Sequence, residues 1–175
     1  MKLDFPVVSF NTACDLTVGN EFPDFTRPYV KQEMWRDRSL SSLASTNPVC
    51  ILFHSMIGSF PPIYLWKEVM NRGWIEKFDI SVTAITASNP YEIRRFLDRE
   101  DLPVGVFSDP ANTVATSVGL AHDLDGMTGI SEPRTAVVLV DEELRVQYRW
   151  VAAEWPEFPD FETVETSIAK CDLGT

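Results

Sequence analysis

The chain has 175 residues, 45% of them hydrophobic, and a formal net charge of −11 at pH 7. This length and composition fit a single compact domain over residues 1–175, with a sizeable core, and they exclude wholesale disorder. Nucleic acid and anionic membranes are excluded as partners, because binding to them requires clusters of Lys and Arg that the sequence lacks. Only five of the fifteen basic residues are Lys. This acidic, lysine-poor composition fits either a protein kept soluble in high salt or an ordinary acidic cytosolic protein.

The N-terminus and the cysteines predict a cytoplasmic protein. Residues 1–6 contain no apolar segment of a signal peptide, and no run approaches the roughly 20 apolar residues that span a bilayer. Three isolated cysteines, Cys14, Cys50 and Cys171, form no C-x-x-C motif. The sequence therefore predicts neither a thioredoxin-type redox pair nor a structural zinc site, and it indicates no cofactor.

The first half of the chain predicts a buried strand followed by a helix. Residues 27–47 show the weakest pattern and predict a small edge element and a loop. The short apolar run 49–54 predicts a buried central strand. Pro61 and Pro62 fit only the first turn of a helix, where a missing N–H costs little, and Gly73 ends that helix.

The next elements repeat this order. Residues 79–87 predict a strand, and Asn89 caps a helix that starts at Pro90, with Glu92 completing a capping box. Asp109-Pro110 gives the same cap-then-proline signal for a short helix. This alternation of strands and helices predicts an α/β fold, a central mixed sheet with helices on both faces.

The last third predicts a hairpin and a final helix. Residues 135–140 and 145–151 flank an Asp-Glu-Glu turn and predict paired strands. Asp160 is positioned to cap a helix with apolar residues at helical spacing. Large aromatic residues between hairpin and helix are expected to pack on the sheet: Trp150, Trp155 and Phe158, or a subset of them.

Five segments, in order, resemble the peroxiredoxins of the alkyl hydroperoxide reductase and thiol-specific antioxidant family. The first resembles the signature V-G-x-x-x-P-D-F-T, and the second resembles the active-site loop P-x-x-x-T-x-x-C after an apolar strand. The others resemble S-P-x-x-x-x-x-F, L-P-F-P-L-L-S-D and the V-I-D hairpin. The segments are residues 18–26, 50–62, 89–96, 102–109 and 138–150, within a stretch of 18–151.

The resemblance implies a thioredoxin-like fold of peroxiredoxin type, thiol peroxidase chemistry and a possible homodimer. Ser55 stands at the position of the family's Pro, Ser59 at that of its Thr and Pro62 at that of its reactive Cys. The family's chemistry needs a thiolate whose pKa is lowered at a helix N-terminus, and proline has no thiol. The family's arginine position is occupied by Thr135, with Arg134 one residue earlier. A shift of one residue turns a side chain to the other face of a strand, unless a bulge or a remodelled turn lets Arg134 reach the pocket.

Other polar residues have ordinary structural interpretations. Ser59 is a favoured residue for capping the helix after it, and it is also a candidate pocket hydroxyl. His54, near the end of the central strand, is either a proton carrier or a histidine held by a backbone hydrogen bond. His122 with Asp123, followed by Asp125-Gly126, lacks the spacing of a calcium loop and predicts a polar surface turn.

These observations predict a divergent family member without Cys-based peroxidase activity and leave three function classes open. The first is a non-catalytic binding or assembly module. The second is an unconventional thiol redox enzyme using Cys50, Cys14 or Cys171. We expect Cys50 to be a buried small hydrophobe, Cys14 to be more exposed beside an acidic neighbour, and Cys171 to lie near the end of the last helix. The third is a binder of small anions or carbonyl compounds at the helix N-terminus behind Ser59, although Pro61 and Pro62 remove two N–H donors there.

Overall fold

The computed structural model describes residues 7–13, 16–123 and 127–172. The strands in these ranges are β1 (Val8–Ser9), β2 (Thr26–Val30), β3 (Trp35–Ser39), β4 (Val49–Phe53), β5 (Ser81–Thr86), β6 (Gly105–Ser108), β7 (Ala121–Asp123), β8 (Ser131–Pro133), β9 (Ala136–Val140), β10 (Val146–Val151) and β11 (Glu154–Trp155). The helices are α1 (Leu40–Ala44), α2 (Phe60–Asn71), α3 (Trp74–Lys77), α4 (Pro90–Arg99), α5 (Thr113–Ser117) and α6 (Phe161–Asp172). Among the helices of these ranges, none is long and apolar enough to cross a membrane.

A seven-stranded mixed sheet forms the centre of the fold, in the order β10-β9-β4-β5-β6-β2-β3. Strands β4, β5 and β6 are parallel, since α2 and α4 carry the chain back between them. The other four strands pair antiparallel on the two sides of this parallel centre. Two further pairs, β1 with β11 and β7 with β8, form small separate sheets.

Side chains from the two faces of the sheet form two hydrophobic cores. The first core lies between the sheet and helices α2, α3, α4 and α6. The second core lies between the sheet and helices α1 and α5. Successive residues of β4 alternate between them, so Leu52 enters the first core and Phe53 the second. The predicted mixed sheet with helices on both faces is confirmed.

The predicted central strand is confirmed, with β9 and β5 as its neighbours and all five residues buried. It ends at Phe53, one residue before the predicted end. Gly73, with φ +67°, separates α2 from α3 as predicted. The Asn89 side chain accepts a hydrogen bond from the Glu92 N–H at 3.0 Å, which confirms the cap of α4.

Two helices begin at residues other than those predicted. Helix α2 begins at Phe60, so Pro61 and Pro62 are its second and third residues. Helix α5 begins at Thr113, after a turn, and not directly after Asp109-Pro110. The Asp109 carboxylate reaches across that turn and accepts the Val114 N–H at 2.8 Å. A capping side chain thus acts on a helix that starts several residues later.

Two stretches are more regular than predicted. Residues 27–47 form most of the β2–β3 hairpin at one edge of the main sheet, which confirms the predicted edge element. They then form α1, so the prediction of a loop there was wrong. Strand β3 lies at the edge of the sheet, beside β2, and none of its residues is fully buried. Its sequence therefore shows little alternation of apolar and polar residues, which is why it was not predicted as a strand. His122 lies half-buried in β7 and not in the predicted surface turn, whereas Asp125-Gly126 lies outside the described residues.

The hairpin and the final helix match the prediction. Strands β9 and β10 pair antiparallel, and the Asp160 side chain accepts from the Thr163 hydroxyl in the first turn of α6. Trp150 and Phe158 pack against the first core, as expected for a subset of the three aromatic residues. Trp155 lies instead in β11, where it pairs with Val8 of β1.

Gly105 offers a test of how tightly the second core is packed. A Cβ atom at this position would lie 1.9 Å from the ring of Tyr29, which is held 4.8 Å from the Phe107 ring, centroid to centroid. We expect Gly105→Ala to lower the free energy of unfolding by about 1–3 kcal/mol or more through overpacking. Denaturant unfolding measures this, with Gly105→Ala/Tyr29→Leu as the control that removes the clash. Equal stability of the wild type and the single variant would contradict the close approach.

Candidate functional site

The candidate site is the loop from His54 to Ser59, which joins the end of β4 to the N-terminus of α2. This loop follows the central strand of the sheet, at the edge where the parallel strands end. Gly58 has φ +103°, a conformation that favours glycine. Its position lets the chain turn from the strand into the helix within six residues.

The Ser59 hydroxyl turns back into the loop and does not cap the helix. Ser59 occupies the N-cap position, yet its side chain accepts no helical N–H. A capping side chain accepts from the second or third helical residue, and these are Pro61 and Pro62, which have no N–H. The hydroxyl instead donates to the Met56 carbonyl at 2.6 Å. The prediction of side-chain capping by Ser59 is therefore wrong, for a reason present in the sequence.

The structure brings Ser55 and Ser59 together. Their hydroxyl oxygens are 2.7 Å apart. Because Ser59 donates its single proton to Met56, the Ser55 hydroxyl is the donor of this bond. Ser55 is only 1% exposed, whereas Ser59 is half-buried. Both hydroxyl groups are engaged in hydrogen bonds within the turn.

Side chains from neighbouring strands satisfy the backbone of the loop. The Met56 N–H donates to the Glu132 carboxylate at 2.9 Å, and the Ile57 N–H donates to the Ser88 hydroxyl at 2.8 Å. The Thr86 hydroxyl donates to the Ser55 carbonyl at 3.1 Å. Backbone groups removed from water need such partners, and here β5, the bend after it and β8 supply them, so the loop is held from more than one side.

His54 is a neutral histidine, held on both ring nitrogens. Its Nδ1 lies 2.8 Å from the Ser55 carbonyl oxygen, and the Trp66 indole N–H donates to its Nε2 at 3.3 Å. Since Nε2 accepts, Nδ1 carries the proton and donates to the carbonyl. Complete burial lowers the pKa of His54 to about 4. The interpretation of a histidine held by a backbone hydrogen bond is confirmed.

Glu132 is a residue of this site that the sequence did not reveal. It lies in β8, 76 positions after its partner Met56, and is 2% exposed. Burial raises the pKa of its carboxyl, while the hydrogen bond from Met56 lowers it in part. A carboxylate in a short polar strand carries no local signal, because only the fold brings β8 to the loop.

Arg134 and Thr135 form the short connection between β8 and β9, outside both strands. Thr135 is buried, 2% exposed. The Arg134 guanidinium lies over the Phe10 ring, 4.8 Å from its centroid, on the second-core side. No described contact joins Arg134 to Ser55, Ser59 or Pro62.

The described cysteines lie away from the first turn of α2. Cys50 is fully buried in β4, and burial raises the pKa of its thiol to about 12. Cys171 is half-buried in α6 and packs against the first core. Cys14 lies outside the described residues. No group of three or more His, Cys, Asp and Glu side chains in the described ranges is arranged to hold a metal ion.

Most of the sequence matches a family model. The model of the AhpC/TSA family matches residues 18–149. The chain belongs to the AhpC/TSA family. This range nearly coincides with the stretch 18–151 that contains the five motif segments. A comparison with curated proteins gives no significant match.

Solved structures of peroxiredoxins share the fold of this AhpC/TSA protein. Peroxidoxin BcpB from Mycobacterium tuberculosis has a TM-score of 0.66 at 19% identity, covering 88% of this chain and 95% of its own. AhpC from Mycobacterium tuberculosis has a TM-score of 0.67 at 14% identity, covering 88% and 97%. The mitochondrial 2-Cys peroxiredoxin from Plasmodium falciparum has a TM-score of 0.71 at 14% identity, covering 88% and 93%. The predicted thioredoxin-like fold of peroxiredoxin type is confirmed.

The burial of His54 predicts a loss of stability in acid. Its folded-state pKa of about 4 lies below the ordinary value of 6.5, so the unfolded chain binds the proton more readily. Its stabilisation is present above pH 6.5 and falls as pH drops towards 4, by about 3 kcal/mol at most. Denaturant unfolding between pH 4 and 7.5 measures this, and His54→Gln should reduce the slope. An NMR titration of the ring that gives an ordinary pKa would refute the prediction.

The two prolines predict an energetic coupling between Ser59 and the first turn of α2. Pro62→Ala restores an N–H that the Ser59 hydroxyl can accept. We expect Ser59→Ala to cost about 1 kcal/mol more in the Pro62→Ala background than in the wild type. The double-mutant cycle cancels the effect of removing proline on the unfolded chain. A coupling of zero would mean that the missing N–H is not what turns the hydroxyl away.

Proposed function

We propose that this protein is a non-catalytic member of the AhpC/TSA family that has no Cys-based peroxidase activity and serves as a binding module. The protein keeps the family's fold and the loop before α2, but it has lost the thiol reaction. Within the loop, Ser55, Ser59 and Pro62 act as structural residues.

The observation that carries this proposal is the first turn of α2. The family places its reactive thiolate at this helix N-terminus, where the dipole lowers the thiol pKa. Here the corresponding residue is Pro62, which is buried and has neither a thiol nor a backbone N–H. The neighbouring hydroxyl of Ser59 is bonded to Ser55 and Met56. Nothing in this turn supplies a nucleophile for peroxide.

The positions of the other groups support the same proposal. A peroxidatic thiol needs access and a lowered pKa, whereas burial raises the pKa of Cys50 to about 12. Arg134 contacts Phe10 and lines the cleft on the second-core side of the sheet. An arginine on the α2 side would be needed to stabilise a thiolate and a bound peroxide. A thiol enzyme built on Cys50 or Cys171 would therefore need chemistry away from the family's site.

Family membership supports a homodimer as a further proposal. The outer strands of the main sheet are β10 and β3.

A cytoplasmic location stays a prediction from the sparse, unpaired spacing of the cysteines in the sequence. Adaptation to high salt stays a prediction from the acidic, lysine-poor composition.

Peroxide consumption tests the proposal directly. With dithiothreitol as the reductant that would return an oxidised cysteine to its thiol, we expect the wild type and the variant Cys14→Ser/Cys50→Ala/Cys171→Ser to consume hydrogen peroxide and an organic hydroperoxide at the same slow background rate. The positive control is Pro62→Cys/Thr135→Arg, which restores thiol and arginine at the family's positions and should show measurable turnover. Rapid consumption by the wild type that disappears in the Cys-free variant would overturn the proposal and favour an unconventional thiol enzyme.

A further inference from the structure

The N-terminal segment and the end of the β9–β10 hairpin enclose a cleft of about 220 Å³. One wall is the segment 10–13, and the other comprises Arg134, Arg149 and residues 151–153. The first wall is held by the pairing of β1 with β11 and by the Phe10 N–H, which donates to the Ala153 carbonyl at 2.9 Å. The cleft lies at the same end of the sheet as the α2 loop, but on the opposite face, since Val151 packs against the second core.

Arg134 is a buried cation that forms no ion pair with any residue in the described ranges. The residue is 6% exposed, and its Nε is buried without a hydrogen-bond partner. Its guanidinium lies over the Phe10 ring, and burial lowers the pKa of this group. Burying an unpaired arginine is costly, so its guanidinium points to a ligand that would pair with it.

Arg149 brings a second guanidinium to the same cleft. One of its terminal nitrogens donates to the Leu16 carbonyl at 2.6 Å, which fixes the direction of the side chain. Its other N–H groups have no partner in the described part of the chain. Glu157 is engaged by the N–H groups of Ala153 and Glu154, at 2.6 and 3.3 Å, and is not paired with either arginine.

We propose that this cleft binds a small organic carboxylate between the guanidinium groups of Arg134 and Arg149. The planar guanidinium fork matches a carboxylate with two parallel hydrogen bonds. The remaining lining is mostly apolar, with Phe10, Val151 and three alanines, and the side chains of Asn11 and Thr12 add polar groups. Such walls accommodate a short hydrocarbon tail, whereas a tetrahedral phosphate needs donors on all sides.

The volume limits the size of the ligand. The cleft holds about seven water molecules at roughly 30 Å³ each, which fits a carboxylate of a few carbon atoms. The site is separate from the loop before α2 and does not depend on whether that loop lacks peroxidase activity. Carboxylate binding in this cleft would be a property of the protein that is independent of the thiol chemistry of its family.

Calorimetric titration with acetate, butyrate and succinate, at constant ionic strength set by KCl, tests the site, with inorganic phosphate as the competing class. We expect at least one carboxylate to bind with a Kd of about 1 mM or tighter, and phosphate to bind more weakly. Arg134→Met and Arg149→Met should each weaken binding at least about tenfold, and Arg134→Lys should recover it only in part. Arg145→Met is the matched control, since it removes the same charge from an exposed position of the same hairpin, and it should bind like the wild type.

Stability without ligand separates this role from a structural one. If Arg134 awaits a ligand, Arg134→Met should unfold at the same denaturant concentration as the wild type or at a higher one. A clear loss of stability in Arg134→Met but not in Arg145→Met would show that the guanidinium has partners within the chain, and would overturn the proposal. Absence of carboxylate binding, binding unchanged in both arginine variants, or tighter binding of phosphate would overturn it as well.

Discussion

Pro61 and Pro62 remove two N–H groups from the first turn of α2, so the side chain of the preceding Ser59 has no helical donor to accept from. The hydrogen bonds of the β4–α2 junction follow from this missing cap. Ser59 stands where a capping serine belongs, but the second and third helical residues offer it no donor. Its hydroxyl therefore bonds within the loop, to Met56 and Ser55. The loop is stabilised by side chains of the neighbouring strands, and the helix contributes little to it. The side chains at this junction are thus engaged in hydrogen bonds within the loop, which is the basis of the proposal that the loop has a structural role.

The position of Arg134 separates it from the loop before α2. Arg134 and Thr135 lie between β8 and β9, and the pairing of β9 with β4 is regular from Ala136 onwards. The Arg134 guanidinium lies over Phe10 and lines the cleft on the side of the second core. The arginine next to the family's arginine position therefore contributes to this cleft, and no described contact joins it to the loop.

Buried polar groups divide this protein into a part that is internally satisfied and a part that is not. Around the loop, His54, Glu132 and Ser88 each have hydrogen-bond partners, and burial lowers the pKa of His54 to about 4 and raises that of Glu132. In the cleft on the other face, the buried Nε of Arg134 has no hydrogen-bond partner among the described residues. Satisfied buried groups stabilise a fold, and unsatisfied ones mark where a ligand can bind. The site inherited from the family is of the first kind, and the arginine cleft is of the second.

The sequence by itself determined the family, the central strand, the hairpin and the absence of a thiol at position 62, because these depend on local patterns and on residue identity. It also contained the reason why the Ser59 side chain cannot cap α2, since the second and third residues after Ser59 are prolines and have no N–H groups. It could not reveal the β2–β3 and β7–β8 pairings, which rest on contacts with distant strands and leave a weak periodicity. Glu132 beneath the loop and the cleft at Arg134 were decided only by the tertiary structure. Both depend on groups far apart along the chain, and a residue's type does not show which neighbours folding will bring to it.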